Sequence, residues 1–251
     1  MVDEGYRAEL ERARHFGGPL SARLAIVRAA MHRFLPGYDA AMDRFVARIT
    51  EAGAGSTAPQ MGDVLPDFVL PDSEGRLVSL QALRARGPVV VAINRGVWCP
   101  LCRTSLAALA EIEPAIGKAG ASFVALSPQR AAHARAHRAD AKAPFPMLTD
   151  LDLGYAMTIG LAVPIGEELA QHYDELAIDL AGMNGNGGAF LPIPATFVVD
   201  RNGVVLARHV EPDPRTRMEP EAILQALGRI GAGPAGVTSD DSGALSMAPR
   251  S

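Results

Sequence analysis

Cysteine and tryptophan are almost absent from this 251-residue chain, which has two of the first and one of the second. A disulfide-stapled secreted scaffold needs several cysteine pairs, so that class is excluded. Long apolar runs are missing as well. No stretch approaches the roughly 18 consecutive apolar residues of a membrane-spanning helix. The charged start, Met1-Val-Asp-Glu-Gly-Tyr-Arg7, lacks the apolar core of a signal peptide. We therefore expect a cytoplasmic protein with no membrane partner. Neither sign of charge dominates: 24 Lys and Arg face 28 Asp and Glu, so no basic footprint for nucleic acid is present. What the chain does have is apolar content, 48%, enough for one full-sized core and an appendage.

The scarce residues are concentrated in one place. Trp98, Cys99 and Cys102 all fall within Asn94-Arg-Gly-Val-Trp-Cys-Pro-Leu-Cys-Arg103. The apolar run Pro88-Val-Val-Val-Ala-Ile93 leads in, as expected of a strand covered on both faces. Leu106, Leu109, Ile112 and Ile116 lead out at helical spacing, with Pro114 placed to kink or shorten the helix end.

The rest of the chain is arranged around this junction. Residues 1–55 read as a helical extension, with Leu20, Leu24, Val27, Met31 and then Phe34, Tyr38, Met42, Phe45, Ile49 at helical spacing. Ser21 is the expected cap of the first run, and Pro36-Gly37 divides the two. Such helices pack on the main domain or on a second copy as in a homodimer; a lid over the cysteines is the alternative. Glu51 to Pro59 has a linker's Gly, Ala and Pro content. Residues 56–230 form the main domain. An extended piece from Val64, a short strand at Leu77-Val78 and a helix capped by Ser79 come first. Strands at 122–127 and 145–149 follow, with an alanine-rich helix between them and a short helix at 153–159. An insertion at 164–190 is helical from Gly166 to Leu180 and ends in the flexible run Gly182 to Gly188. Strands 195–200 and 204–209 flank Asn202-Gly203 as a hairpin, and a helix over 220–230 closes the domain. The Gly-, Ser- and Pro-rich tail, 231–251, reads as disordered. This order implies an α/β sandwich around a central mixed sheet flanked by helices.

Two cysteines three apart at a helix start lie on one turn, close enough to bridge. Pro100 suits the first turn, where its missing N–H costs nothing. A thiolate at Cys99 faces unpaired N–H groups and the positive end of the helix dipole, which lowers a thiol pKa from about 8.5 toward 7. Arg95 and Arg103 add positive potential, whereas Cys102, one turn deeper, is expected to keep a higher pKa. Three readings compete. A structural core pair suits apolar surroundings, not two flanking arginines. A metal site needs about four ligands, so histidines would have to complete it. His133 and His137 are spaced for that, but Arg130, Arg135, Arg138 and Lys142 mark their helix as a solvated basic face. The third reading, thiol redox chemistry, needs no metal and no cofactor. Ile193-Pro194 precedes a strand and is a candidate for a cis bond and a tight bend.

At this point the chain resembles a known group. Leu65-Pro-Asp-Phe-Val-Leu70, Arg95-Gly-Val-Trp-Cys-Pro-Leu-Cys102, Ala125-Leu-Ser-Pro128, Pro192-Ile-Pro-Ala-Thr-Phe-Val-Val-Asp200 and Arg217-Met-Glu-Pro220 are similar to the peroxiredoxin-like AhpC/TSA or redoxin family of the thioredoxin-like fold. The resemblance implies that Cys99 is the peroxidatic thiol, oxidised to a sulfenic acid by a hydroperoxide. Cys102 then resolves it to a disulfide, which a thioredoxin-like or small-thiol reductant opens. Arg95 would stabilise the thiolate, Trp98 wall the site, and Gly96, Pro100 and Pro194 shape the groove for substrate or partner. Two departures stand out. Typical members carry Thr or Ser three residues before the reactive cysteine, where this chain has Gly96. They also use an arginine before the late strand, where this chain has Ile193-Pro194. Hydroperoxide reduction is the first reading, disulfide reduction the second, and metal binding, redox sensing or attack on an unusual small molecule remain open.

Overall fold

The computed structural model describes residues 3–231. Three helices come first: α1 (Glu4–His15), α2 (Leu20–Phe34) and α3 (Pro36–Glu51). Next are β1 (Val69–Pro71), β2 (Leu77–Ser79), α4 (Leu80–Arg84) and β3 (Val89–Ile93). Then come α5 (Pro100–Lys118), β4 (Ser122–Ser127), α6 (Ala131–Asp140), β5 (Met147–Thr149) and α7 (Gly154–Thr158). The chain continues through β6 (Ala162–Pro164), α8 (Glu167–Glu175), α9 (Leu180–Met183) and β7 (Phe190–Pro192). It closes with β8 (Ala195–Val199), β9 (Val205–Val210) and α10 (Pro220–Gly231).

The main sheet runs in the order β5-β4-β3-β8-β9. β3 is parallel to β4 and β4 to β5, whereas β8 is antiparallel to both β3 and β9. This is the mixed sheet the element order implies. Alternation along each central strand divides the core in two, because successive side chains leave a strand on opposite faces. Val89, Val91, Ile93, Val124, Leu126, Phe197 and Val199 join Met42, Phe45 and Ile49 of α3 on one face. Val90, Ala92, Phe123, Ala125 and Val198 meet Leu106, Leu109 and Ile116 of α5 and Ile223 and Leu227 of α10 on the other. Burial on both faces explains why β3 is apolar throughout. The Asn202-Gly203 turn forms as expected: Asp200 Oδ1 accepts from the N–H groups of Asn202 and Val204 and so closes the β8–β9 hairpin.

Several local expectations are corrected. Ser21 does not cap α2. The carboxylate of Glu219 does so from the other end of the chain, accepting from the N–H groups of Leu20 and Ser21 at 2.8 Å each. A carboxylate there offsets both the orphan donors and the helix dipole. The stretch after α3 is not an open linker. Ala54, Ser56 and Ala58 donate backbone bonds to Ile49, Gly53 and Gly55, and Ala58 is buried in the core. Pro114 does not end α5, which continues to Lys118 while Ile116 is wholly buried. Ser79 caps α4 as expected, accepting from the Ala82 N–H.

The insertion contributes strands that alternation did not show. β6 and β7, each three residues long, pair antiparallel. The glycine-rich run after α9 is tied to the domain, since Asn184 is buried and bridges to Gln129. Every peptide bond among the described residues is trans, including that of Ile193-Pro194; the bend between β7 and β8 forms with a buried Pro194 and no cis bond. The 231–251 tail lies, beyond Gly231, outside the described residues.

Candidate active site

β3 ends at Ile93 and the next residues turn the chain into α5. Gly96 makes that turn with φ +147°, a conformation that L side chains rarely adopt. It also clears space: a Cβ built on Gly96 would fall 2.6 Å from the Gln129 side chain and 2.9 Å from Trp98 Nε1. Gln129, wholly buried, holds the turn by accepting from the Val97 N–H at 2.9 Å. Cys99 is the N-cap residue of α5 and Pro100 its first helical residue, as the motif implies.

Both cysteines are free thiols, 4% exposed at Cys99 and fully buried at Cys102. The Cys102 N–H points at Cys99 Sγ, 3.4 Å away. Cys102 Sγ in turn receives the Arg95 N–H at 3.4 Å and Arg217 Nη2 at 3.7 Å. This reverses the order of acidities expected from the helix dipole alone. Burial by itself would raise the Cys102 pKa. A hydrogen bond from Cys99, the Arg217 guanidinium and the Arg95 N–H outweigh it and hold the thiol well below its ordinary value. Cys99 goes the other way, because the hydrogen bond it makes to Cys102 retains its proton and burial adds to the effect.

The arginines flanking the motif do other things than add undirected charge. Arg95 is 1% exposed, and its side chain runs away from Cys102 toward Met42 Sδ (4.0 Å) and the Phe45 ring (5.5 Å to the centroid). Its Nε and Nη2 have no hydrogen-bond partner, a costly state for a buried cation unless an anion is near. Arg103 is bound to Asp140 through Nε (2.9 Å) and Nη2 (2.6 Å). Arg14 of α1 shares that carboxylate at 2.9 Å. Trp98 stands edge-on to Tyr173, 5.1 Å between centroids.

Four residues near the pair were not singled out from the sequence. Arg217 lies in a stretch matched to the family but carried no role there. His137 is not on a solvated face: it is fully buried beside the Cys102 charge, and burial lowers its pKa. Burial raises both Tyr6 of α1 and Tyr38 of α3, Tyr6 to about 12, so both phenols keep their protons at neutral pH. Only tertiary contacts reveal these, since each comes from a different element. The N-terminal helices cover the site: Tyr6, Leu20, Leu24, Val27 and Met31 share one apolar cluster with Cys99 and Cys102. Among the described residues no three His, Cys, Asp or Glu side chains are grouped to hold a metal ion, and no helix is long and apolar enough to cross a membrane.

A mixed sheet that delivers two adjacent free thiols to the first turn of a helix defines a thiol oxidoreductase of the thioredoxin fold. Comparison with known proteins carries this further. The chain belongs to the Redoxin family, whose profile matches residues 60–227. It is similar to the thiol-disulfide oxidoreductase ResA of Bacillus anthracis, 24% identical over 162 residues, covering 64% of this chain and 75% of that one. It also resembles the chloroplastic peroxiredoxin Q of Oryza sativa subsp. japonica, 31% identical over 144 residues, or 57% of this chain and 56% of the relative. Among solved structures, the peroxidoxin BcpB of Mycobacterium tuberculosis shares the fold with a TM-score of 0.53 at 22% identity, over 68% of this chain and 98% of the other. Enterococcus faecalis AhpC does so with 0.53 at 15%, over 69% and 93%.

Proposed function

We propose that this chain reduces hydroperoxides, with Cys99 as the attacking thiol and Cys102 as the resolving one. The observation that carries the reading is the pair of free thiols in the first turn of α5, with the Cys102 N–H on Cys99 Sγ and Arg217 on Cys102 Sγ. Cys102 is fully buried, whereas Cys99 retains some exposure. Loss of the Cys99 proton makes the accessible sulfur the thiolate. The buried Arg95 guanidinium and the N–H groups of α5 then stabilise that charge.

The Cys99 thiolate attacks one peroxide oxygen; an S–O bond forms, the O–O bond breaks, and the departing alkoxide takes a proton to leave as the alcohol. Cys99 is oxidised to a sulfenic acid and the peroxide is reduced. The Cys102 sulfur then attacks Cys99, an S–S bond forms, and the hydroxyl leaves as water with the Cys102 proton. A dithiol protein or a small thiol returns two electrons and two protons by exchange. A cytoplasmic setting, with its reducing thiol pool, fits this cycle. Trp98 adjoins Cys99, so stopped-flow fluorescence of the reduced protein mixed with hydrogen peroxide reads the first step directly. Oxidation much faster than that of an ordinary free thiol is expected; a rate no faster sinks the peroxide reading.

A second reading, disulfide reduction, is supported by Gly96 in the place of a peroxide-positioning Thr or Ser and by the similarity to ResA. Under it the same Cys99 thiolate attacks a partner disulfide, and the buried Pro194 lines the partner's seat.

A further inference from the structure

A cavity of about 250 Å3 lies between the cysteine motif and the elements around it. Trp98 and Pro100, the residues on either side of Cys99, line it. Leu10 of α1, Tyr38 of α3, and Leu176 and Ile178 beyond α8 form its apolar walls. Two walls belong to helices that precede the family-matched residues 60–227, so part of the chamber is built outside that match.

The cavity's charge is one-sided. Arg7 and Arg103 line it and no carboxylate does. Arg7 is exposed and forms no ion pair among the described residues. Arg103 is paired with Asp140, which also binds Arg14, and Arg14 is in turn paired with Glu11, so the unbalanced charge at the cavity is that of Arg7. A chamber with apolar walls and a cationic rim suits an apolar body that carries one negative charge. Its volume equals roughly eight waters at about 30 Å3 each, room for a body on the order of ten non-hydrogen atoms.

We propose that this cavity is a binding site for small organic monoanions, taking the apolar body against Leu10, Tyr38, Leu176 and Ile178 and the charge at Arg7 and Arg103. Trp98 and Pro100, which flank Cys99, line the same chamber, so a ligand held there lies next to the cysteine motif. As a substrate site this rests on the proposed thiol chemistry; as a binding site it does not. The chamber therefore selects electrophiles carried on an apolar, singly anionic body.

The test uses the full chain with Cys99→Ser and Cys102→Ser, which binds without reacting. Octanoate is titrated while the single tryptophan, Trp98, is followed by fluorescence. Saturable binding is expected, at least tenfold tighter than that of octylammonium. The exposed change Arg7→Glu, checked for folding by circular dichroism, should weaken it tenfold or more, and Ile178→Phe should weaken it by filling the chamber. No saturable octanoate binding, equal binding of octylammonium, or binding unaffected by both substitutions overturns the proposal. Because the double serine variant has no thiols, these outcomes are independent of whether the wild-type protein reacts with peroxide.

Discussion

Arg217 Nη2 stands 3.7 Å from Cys102 Sγ, although 115 residues separate the two in sequence. The contact puts a fixed positive charge on the more buried of two coupled thiols, where bulk water and salt screen it little. Replacing Arg217 with Met keeps much of the side chain's volume and removes the charge. The expected result is a rise in the pKa of the more acidic thiol, because the Arg217 charge helps hold Cys102 down. The pH dependence of iodoacetamide alkylation measures it, and an unchanged profile would show that Arg217 only packs.

The two cysteines should behave differently on substitution. Cys99→Ser is expected to abolish turnover with hydroperoxides and with disulfides alike. Cys102→Ser should still permit one oxidation of Cys99, visible as a sulfenic acid trapped by dimedone in mass spectrometry. Full activity in Cys99→Ser would show that the nucleophile has been misassigned.

Asp140 clamps α1 to α5 by binding Arg14 and Arg103. Burial would raise its pKa, but the two guanidiniums more than offset this and hold it below the usual carboxylate value. A depressed folded pKa means that this stabilisation is complete above the unfolded value of about 3.9 and is lost as pH falls through the lower folded value. Asp140→Asn should cost about 1–2 kcal/mol at neutral pH and should flatten the acid limb of the stability curve. Urea unfolding at pH 7 and at successive acid values checks both.

Glu219 holds the first turn of α2 with two bonds of 2.8 Å. Glu219→Ala removes a cap and a favourable dipole contact, an expected loss of about 1 kcal/mol. Thermal unfolding should shift down by about 2–4 °C for a domain of this size. Hydrogen exchange should accelerate at Leu20 and Ser21 while the β3 amides stay protected.

Gly96→Ala is expected to cost about 1–3 kcal/mol through the positive φ alone. The added methyl also meets the Gln129 side chain, which has to leave the Val97 N–H. Slower oxidation of Cys99 should accompany the loss of stability, since the same turn sets the N-cap. A variant with unchanged melting temperature would show that the turn relaxes freely.

How far the sequence was readable follows the range of the forces involved. The continuous apolar runs of β3 and β4, the Ser79 cap and the Asn202-Gly203 hairpin are local, and each stands as read. So is the placing of Cys99 at the start of α5 with Pro100 behind it. Misreadings came where a distant residue supplied the decisive contact. Ser21 looked like a cap until Glu219 occupied the role. His137 looked solvated among arginines, yet its face of α6 turns inward to Cys102. The dipole argument alone made Cys99 the more acidic thiol, and Arg217, coming from the other end of the domain, tips the balance to Cys102. Short strands such as β6 and β7 escaped notice because three residues cannot show a period.

The Glu219 cap has a consequence for the order of assembly. During synthesis α2 emerges early, but the carboxylate that ties down its first turn is made 199 residues after Leu20. Contacts of such sequence separation close late. The cover over the cysteines is therefore fastened only once nearly all of the redoxin domain has left the ribosome, and until then the nascent chain carries its two thiols without their finished enclosure.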